Sequence, residues 1–294
     1  MSTRQSAPGR YDDDAILEAA RSLGVLGGSA TAPRILAALC DPAVTAARIG
    51  QLISQEPGVA ARVLRVANSP YYGVTRAVST LDRAVVVLGL DAVRGVAAAA
   101  CMDRNLLHGI NDEILNVDAM IRHSVATAAA AEALAQFGHR AVAPESFIAG
   151  LLHDLGTAIQ ARLNTGGTQR FLARASALPS RASRSVELEE IGVSHEWCTA
   201  VLFDAWRLPQ LLKDAVCFHH GPLGAPPESR KLAALVELGH DLSIGCGIGF
   251  GAETVAVEPP TDVLALLAIS TESIQQVAAE LPERVAQLQA ALAG

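Results

Sequence analysis

Apolar residues recur along this chain at spacings of three and four, the period of a helix with one buried face. The alternation expected of a half-buried strand is hard to find. Residues 15–26 read as a first helix, capped by Asp12–Asp14 and stopped by Gly27-Gly28. A second starts at Thr31-Ala-Pro33, with Ile35, Leu36 and Leu39 facing inward. Residues 45–55 put Ile49, Leu52 and Ile53 on one face, and residues 59–67 do the same with Val59, Val63, Leu64 and Ala67. The run 68–73 (NSPYYG) is turn chemistry. Ser79 or Thr80 caps a helix over 81–88 that ends at Gly89, and Asp91 caps the next, over 93–102.

From residue 119 the pattern becomes denser. An alanine-rich helix runs to about Phe137 and closes at Gly138, and a second covers 144–163. Further helices are expected to about Ala177, then over 186–191, 194–206, 209–219 and 230–243. Two more follow the glycine-rich break at 245–251, over 262–267 and 271–292, the last kinked or split at Pro282. The fold class is therefore all-α, a multi-helix bundle. Its segments are a disordered arm at 1–14, an N-terminal helical subdomain at 15–115, a second helical subdomain at 116–250, and C-terminal helices at 251–294.

Composition narrows the function. Half of the 294 residues are hydrophobic, enough for a packed core, and aromatics make up only 4%. The net charge of −7 disfavours a general grip on nucleic acid. The short basic stretch Arg170, Arg174, Arg181, Arg184 reads as a solvated helix end. Five cysteines with no CxxC pair indicate reduced thiols that fill core space, so a cytoplasmic setting is expected. No apolar run reaches the ~20 residues of a membrane span.

The chemistry lies in the histidines, of which there are 8. The segment 147–156, FIAGLLHDLG, places His153-Asp154 directly after an apolar run. Neighbouring helical residues point about 100° apart, so both reach one ion only from a helix end or bend, and Gly156 would supply one. His123 lies on the stripe Met120, Thr127, Leu134, and His195 opens a helix. His219-His220 end the following helix, and Asp241 follows His240 in another. Imidazole and carboxylate form the donor set of divalent metals, and such groups in apolar helices must be paired or coordinated. His108, His139 and His240 read as surface or loop residues, and Trp197 and Trp206 as structural.

The order His123, His153-Asp154, Asp241 resembles the H…HD…D pattern of the HD superfamily. The stretch Val63–Gly73 (VLRVANSPYYG), with 78–84, 87–89 and the later run His195…Trp206-Arg-Leu-Pro209…His219-His220-Gly-Pro222, resembles the HDOD family signature over roughly 30–245. The resemblance makes 116–250 an HD-like subdomain. It implies that His123, His153, Asp154 and Asp241 hold a divalent metal (Fe, Mn or Zn), with His195, His219 and His220 in the places where HD-GYP phosphodiesterases hold a second one, so the site is mono- or dinuclear. Departures accompany it. Thr157 stands where that family has its phosphate-contacting lysine, Ala119 where an acid often ligates, and 221–227 replaces the GYP loop. Arg122 and Lys213 are basic candidates near the metal, but neither stands at the lysine's place. The implied function is signal transduction through unidentified signalling proteins or a nucleotide second messenger, without catalysis. The alternative is a metal-dependent phosphohydrolase acting on a nucleotide. Asn68, Tyr71 and Tyr72 offer a partner-binding loop, with a tyrosine-burying turn as the competing reading.

Overall fold

The computed structural model describes residues 10–23, 31–39, 41, 43–69, 74, 77–101, 107, 110–176, 178, 180–251 and 258–293. Among these the chain is all-helical, as the pattern predicts, and no β-strand forms. The N-terminal part holds α1 (Asp13–Ser22), α2 (Thr31–Leu39), α3 (Ala46–Ser54), α4 (Pro57–Ala67), α5 (Leu81–Leu88) and α6 (Leu90–Cys101). The second part holds α7 (Val117–Ala135), α8 (Ala143–Leu152), α9 (Leu155–Leu163), α10 (Thr165–Ala175) and α11 (Ser180–Glu190). It continues with α12 (His195–Trp206), α13 (Gln210–Cys217) and α14 (Arg230–Gly245), and α15 (Thr261–Leu267) and α16 (Thr271–Ala293) close the chain.

Short polar side chains start these helices by accepting from otherwise unpaired N–H groups. Thr45 caps α3, Thr80 caps α5, Asn116 caps α7 and Ser194 caps α12. Asp12 caps α1 by accepting from the Ala15 N–H at 2.9 Å, so this helix begins two residues before the predicted start and ends at Ser22. Arg10 N–H donates to the Gly192 carbonyl at 2.8 Å, so residues 10–14, expected in a disordered arm, belong to the fold. Helix α16 runs through Pro282 without the expected split. Proline leaves the carbonyl four residues earlier without its helical donor, and that carbonyl, of Ala278, accepts from the Cys246 thiol instead.

One apolar core runs from Ile16 on α1 through α6, α8 and α9 to Val216 on α13, so the segments 15–115 and 116–250 share an interior. A second cluster lies on the back of α7, where Leu134, Leu235, Leu238, Leu281 and Val285 pack with α15. Two polar residues tie the N-terminal helices together. Arg94, buried on α6, donates from Nε to the Leu39 carbonyl at 2.8 Å and from Nη2 to the Asp41 carbonyl at 2.6 Å, which closes the C-terminal end of α2. Asn68 accepts from Val78 N–H at 2.7 Å and donates to the Val78 and Leu64 carbonyls at 2.8 and 2.7 Å. Its side chain therefore pins both ends of the 68–78 loop. Tyr71 and Tyr72, its expected companions in partner binding, lie outside the described residues. No single helix among the described residues is long and apolar enough to cross a membrane.

Candidate metal centre

The segment 144–163, expected as one helix, is two. It breaks at His153-Asp154 between α8 and α9. The break, rather than Gly156, turns both side chains of the pair inward, since Asp154 leaves helical geometry at φ −102°, ψ 9°. Gly156 serves another end. A Cβ there would stand 1.9 Å from the His195 carbonyl oxygen, so only glycine lets the start of α9 meet the start of α12. The Gly156 N–H donates to Thr199 Oγ1 at 2.9 Å, and that hydroxyl lies 2.9 and 3.2 Å from the His195 and His153 carbonyls. Gly239 plays the same part between α14 and α7, where a Cβ would meet Thr127 O and Ala131 N at 2.9 Å.

These close approaches bring six imidazoles and one carboxylate together. His123 from α7, His153 and Asp154 from the break, and His240 from α14 form one group of converging donor atoms. His195 from α12 and His219 and His220 from the turn after α13 form a second. Asp154 lies between them. Its Oδ2 is 2.9 Å from His153 Nε2 and 3.6 Å from His123 Nε2, and its Oδ1 is 3.5 Å from His195 Nε2 and 3.9 Å from His219 Nε2. His240 Nδ1 is 3.1 Å from His123 Nε2 and 3.2 Å from His153 Nε2. All seven residues are buried.

Six of the seven residues expected as ligands are thus brought together: His123, His153, Asp154, His195, His219 and His220. Asp241 is outside both groups. It is buried, but its neighbour His240, read from sequence as a surface or loop residue, supplies the converging atom on α14. Adjacent helical positions differ by about 100°, so only one of the two can face the centre. His139 does take a loop role, with Nε2 donating to the Leu267 carbonyl at 2.7 Å, and His108 lies outside the described residues. Lys213 is engaged by Asp204, and Arg122 is exposed beside a separate cavity lined by Asn116, Asp118 and Gly249.

The outer ring nitrogens fix the tautomers. His123, His153 and His219 donate from Nδ1 to the carbonyls of Ile248, Gly150 and Val216 at 2.7, 2.8 and 2.7 Å. Each then turns its Nε2 lone pair inward. His195 donates from Nδ1 to Glu187 Oε1 at 2.8 Å. Burial pushes His123 down to about 4 and His219 to about 3, and it takes His220 and His240 well below the ordinary imidazole range. Burial also opposes the charge on His195, but Glu196, Glu187 and Asp154 outweigh it and raise that group well above its ordinary value. For Asp154, burial is outweighed by His153, His195 and His240, which hold the carboxyl well below the usual range. At neutral pH the centre therefore presents His123, His219, His220 and His240 as neutral imidazoles and Asp154 as an ionised carboxylate, while His195 carries a proton that a metal would displace. Both Asp154 oxygens are buried and face the ring nitrogens of the centre. Lone pairs and a carboxylate converging in a dry interior repel one another, and a divalent cation removes that repulsion, so the residues present fit a metal.

Sequence reasoning missed His240, Glu187, Gln160 and Thr199. Cys198 and Cys217 are not a competing site. Burial raises Cys198 well above its ordinary value and Cys217 to about 12, so both stay protonated.

Similarity to known proteins agrees with this architecture. A curated but uncharacterized protein of Treponema pallidum (strain Nichols) is 27% identical over 205 residues, 68% of this chain and 38% of that protein. The chain therefore spans less than two fifths of that relative's length. The solved structure of an HDOD domain protein with unknown function from Geobacter sulfurreducens has a TM-score of 0.66 at 23% identity, covering 96% of this chain and 98% of that one. A structure from Marinobacter aquaeolei VT8, named for signal transduction, has a TM-score of 0.72 at 22% identity and covers 95% of this chain and 64% of the other. One from Shewanella amazonensis SB2B, named as a metal-dependent phosphohydrolase, has a TM-score of 0.57 at 17% identity and covers 95% and 97%. At these identities the structures establish the fold. The family follows from the sequence itself, because the HDOD domain model matches residues 29–222, about two thirds of the chain, and so this protein belongs to the HDOD family.

Proposed function

We propose that this chain is a cytoplasmic regulatory module whose helical core holds divalent metal, Fe, Mn or Zn, in two positions bridged by Asp154, and that it signals to protein partners rather than turning over a substrate. The observation that carries the metal is the buried Asp154 carboxylate, set between two groups of converging imidazoles with one oxygen toward each. A set of six imidazoles suits borderline transition metals better than magnesium or calcium. His123, His153, His240 and Asp154 Oδ2 would form one position, and His195, His219, His220 and Asp154 Oδ1 the other.

The regulatory half of the reading rests on what surrounds the donors. A metal in such a site can activate water and polarise a phosphate ester, but hydrolysis also needs substrate access and a cationic grip. The donor residues are at most 5% exposed. Thr157 stands in the lysine's place, Lys213 is committed to Asp204, and Arg184 is committed to Glu196 at 2.8 Å. The second reading, a phosphohydrolase acting on a nucleotide, is favoured by the completeness of the donor set and by the name of the Shewanella protein.

The metal-loaded chain, incubated with cyclic di-GMP and with bis-(p-nitrophenyl) phosphate, is expected to show no turnover above a metal-only blank. Turnover abolished by His153→Ala would establish the hydrolase instead.

A further inference from the structure

Two kinds of acceptor stand behind the imidazoles. His123, His153 and His219 each rest on a neutral backbone carbonyl. His195 rests on a carboxylate, Glu187. A carboxylate behind a ligating imidazole draws its outer proton away and enriches the inner nitrogen, which strengthens the bond to a metal. We propose that the His195 side is the tighter of the two positions and that Glu187, a positioning residue on the outer, Nδ1 side of His195, sets this order. The proposal rests on the two-position reading above.

Glu187 is built for that task. It is 1% exposed on α11, and its Oε1 accepts from three donors: His195 Nδ1 at 2.8 Å, the His195 N–H at 2.9 Å and Gln160 Nε2 at 2.6 Å. Gln160 is itself fixed, donating to the Val193 carbonyl at 2.7 Å. The carboxylate therefore cannot swing away, and the ring it holds has one orientation. Glu196 also lies near His195, 3.6 Å from Nδ1, but its charge is matched by Arg184. Among the described residues Glu187 pairs with no arginine or lysine, so its charge is directed at His195 alone.

The test uses the full chain, stripped by a chelator and titrated with Co²⁺ by calorimetry and visible absorption. The wild type is expected to bind in two resolved steps. His219→Ala removes the tighter step and His123→Ala the weaker. Glu187→Gln weakens the tighter step by about 10- to 100-fold and leaves the weaker one in place. Gln160→Met, which keeps the carboxylate but frees it, weakens the same step by a smaller factor and decides the matter should Glu187→Gln fail to fold. Two wild-type steps that Glu187→Gln leaves unchanged, or a shift in the weaker step, would overturn the ranking while sparing the two-position reading. A wild type that takes up no Co²⁺ would overturn both.

Discussion

Asp154→Asn empties both metal positions at once, whereas loss of one histidine empties only one. Asp154 is the carboxylate between the two groups of converging imidazoles, and it presents an oxygen to each, 2.9 Å from His153 on one side and 3.5 Å from His195 on the other. Asparagine keeps the volume but removes the charge, and it turns an amide N–H₂ toward one set of nitrogens. A unit charge at contact distance is worth on the order of 4 kcal/mol at an effective dielectric near 20, about three orders of magnitude in affinity. Elemental analysis of the purified variant should therefore find almost no transition metal, with wild-type helicity by circular dichroism. A variant that keeps the wild-type metal content would remove Asp154 from the bridging role.

Acidification from pH 6.5 to 4 unfolds or severely loosens the metal-free chain. Burial lowers His123 to about 4 and His219 to about 3, and it lowers His220 and His240 as well. Unfolded histidine takes up its proton near 6.5. Below that value the unfolded chain therefore binds more protons than the folded one, and stability falls as pH falls. Each such histidine contributes about 1.4 kcal/mol per pH unit, on the order of 3 kcal/mol for His123 by pH 4. That sum over several histidines is comparable to the whole stability of a typical domain.

His195 and Asp154 do not offset this loss. The raised His195 contributes stability that is fully present below 6.5 and disappears only as pH rises through its folded value. The depressed Asp154 contributes stability that is present above 3.8 and disappears only at lower pH. Urea midpoints on chelated protein, taken from pH 7 to 4.5, should fall steadily. A flat profile would mean that these imidazoles are not buried neutral.

Much of this was legible in the sequence. Helical periodicity and capping residues located most elements, and apolar surroundings marked His123, His153, Asp154, His195, His219 and His220 as groups needing partners. The choice between His240 and Asp241 was not legible. Residues 232–241 of α14 are buried on every side, so apolar spacing gives that helix no phase, and the one signal left was an adjacent acid. Glu187 was missed because α11 (SRASRSVELEE) has the polar composition of a solvated helix, and only tertiary packing carries that one carboxylate beneath His195. The break at His153-Asp154 escaped for a related reason. The helix that packs against it, opened by His195, approaches Gly156 from far along the chain.

The central claim is that a resident metal pair completes this core. Inductively coupled plasma mass spectrometry on the full chain, purified without metal-affinity resin or added metal, tests it most directly. The account predicts close to two equivalents of Fe, Mn or Zn per chain. A content far below one equivalent, in protein that is folded and binds no added Mn²⁺ or Zn²⁺, would contradict it.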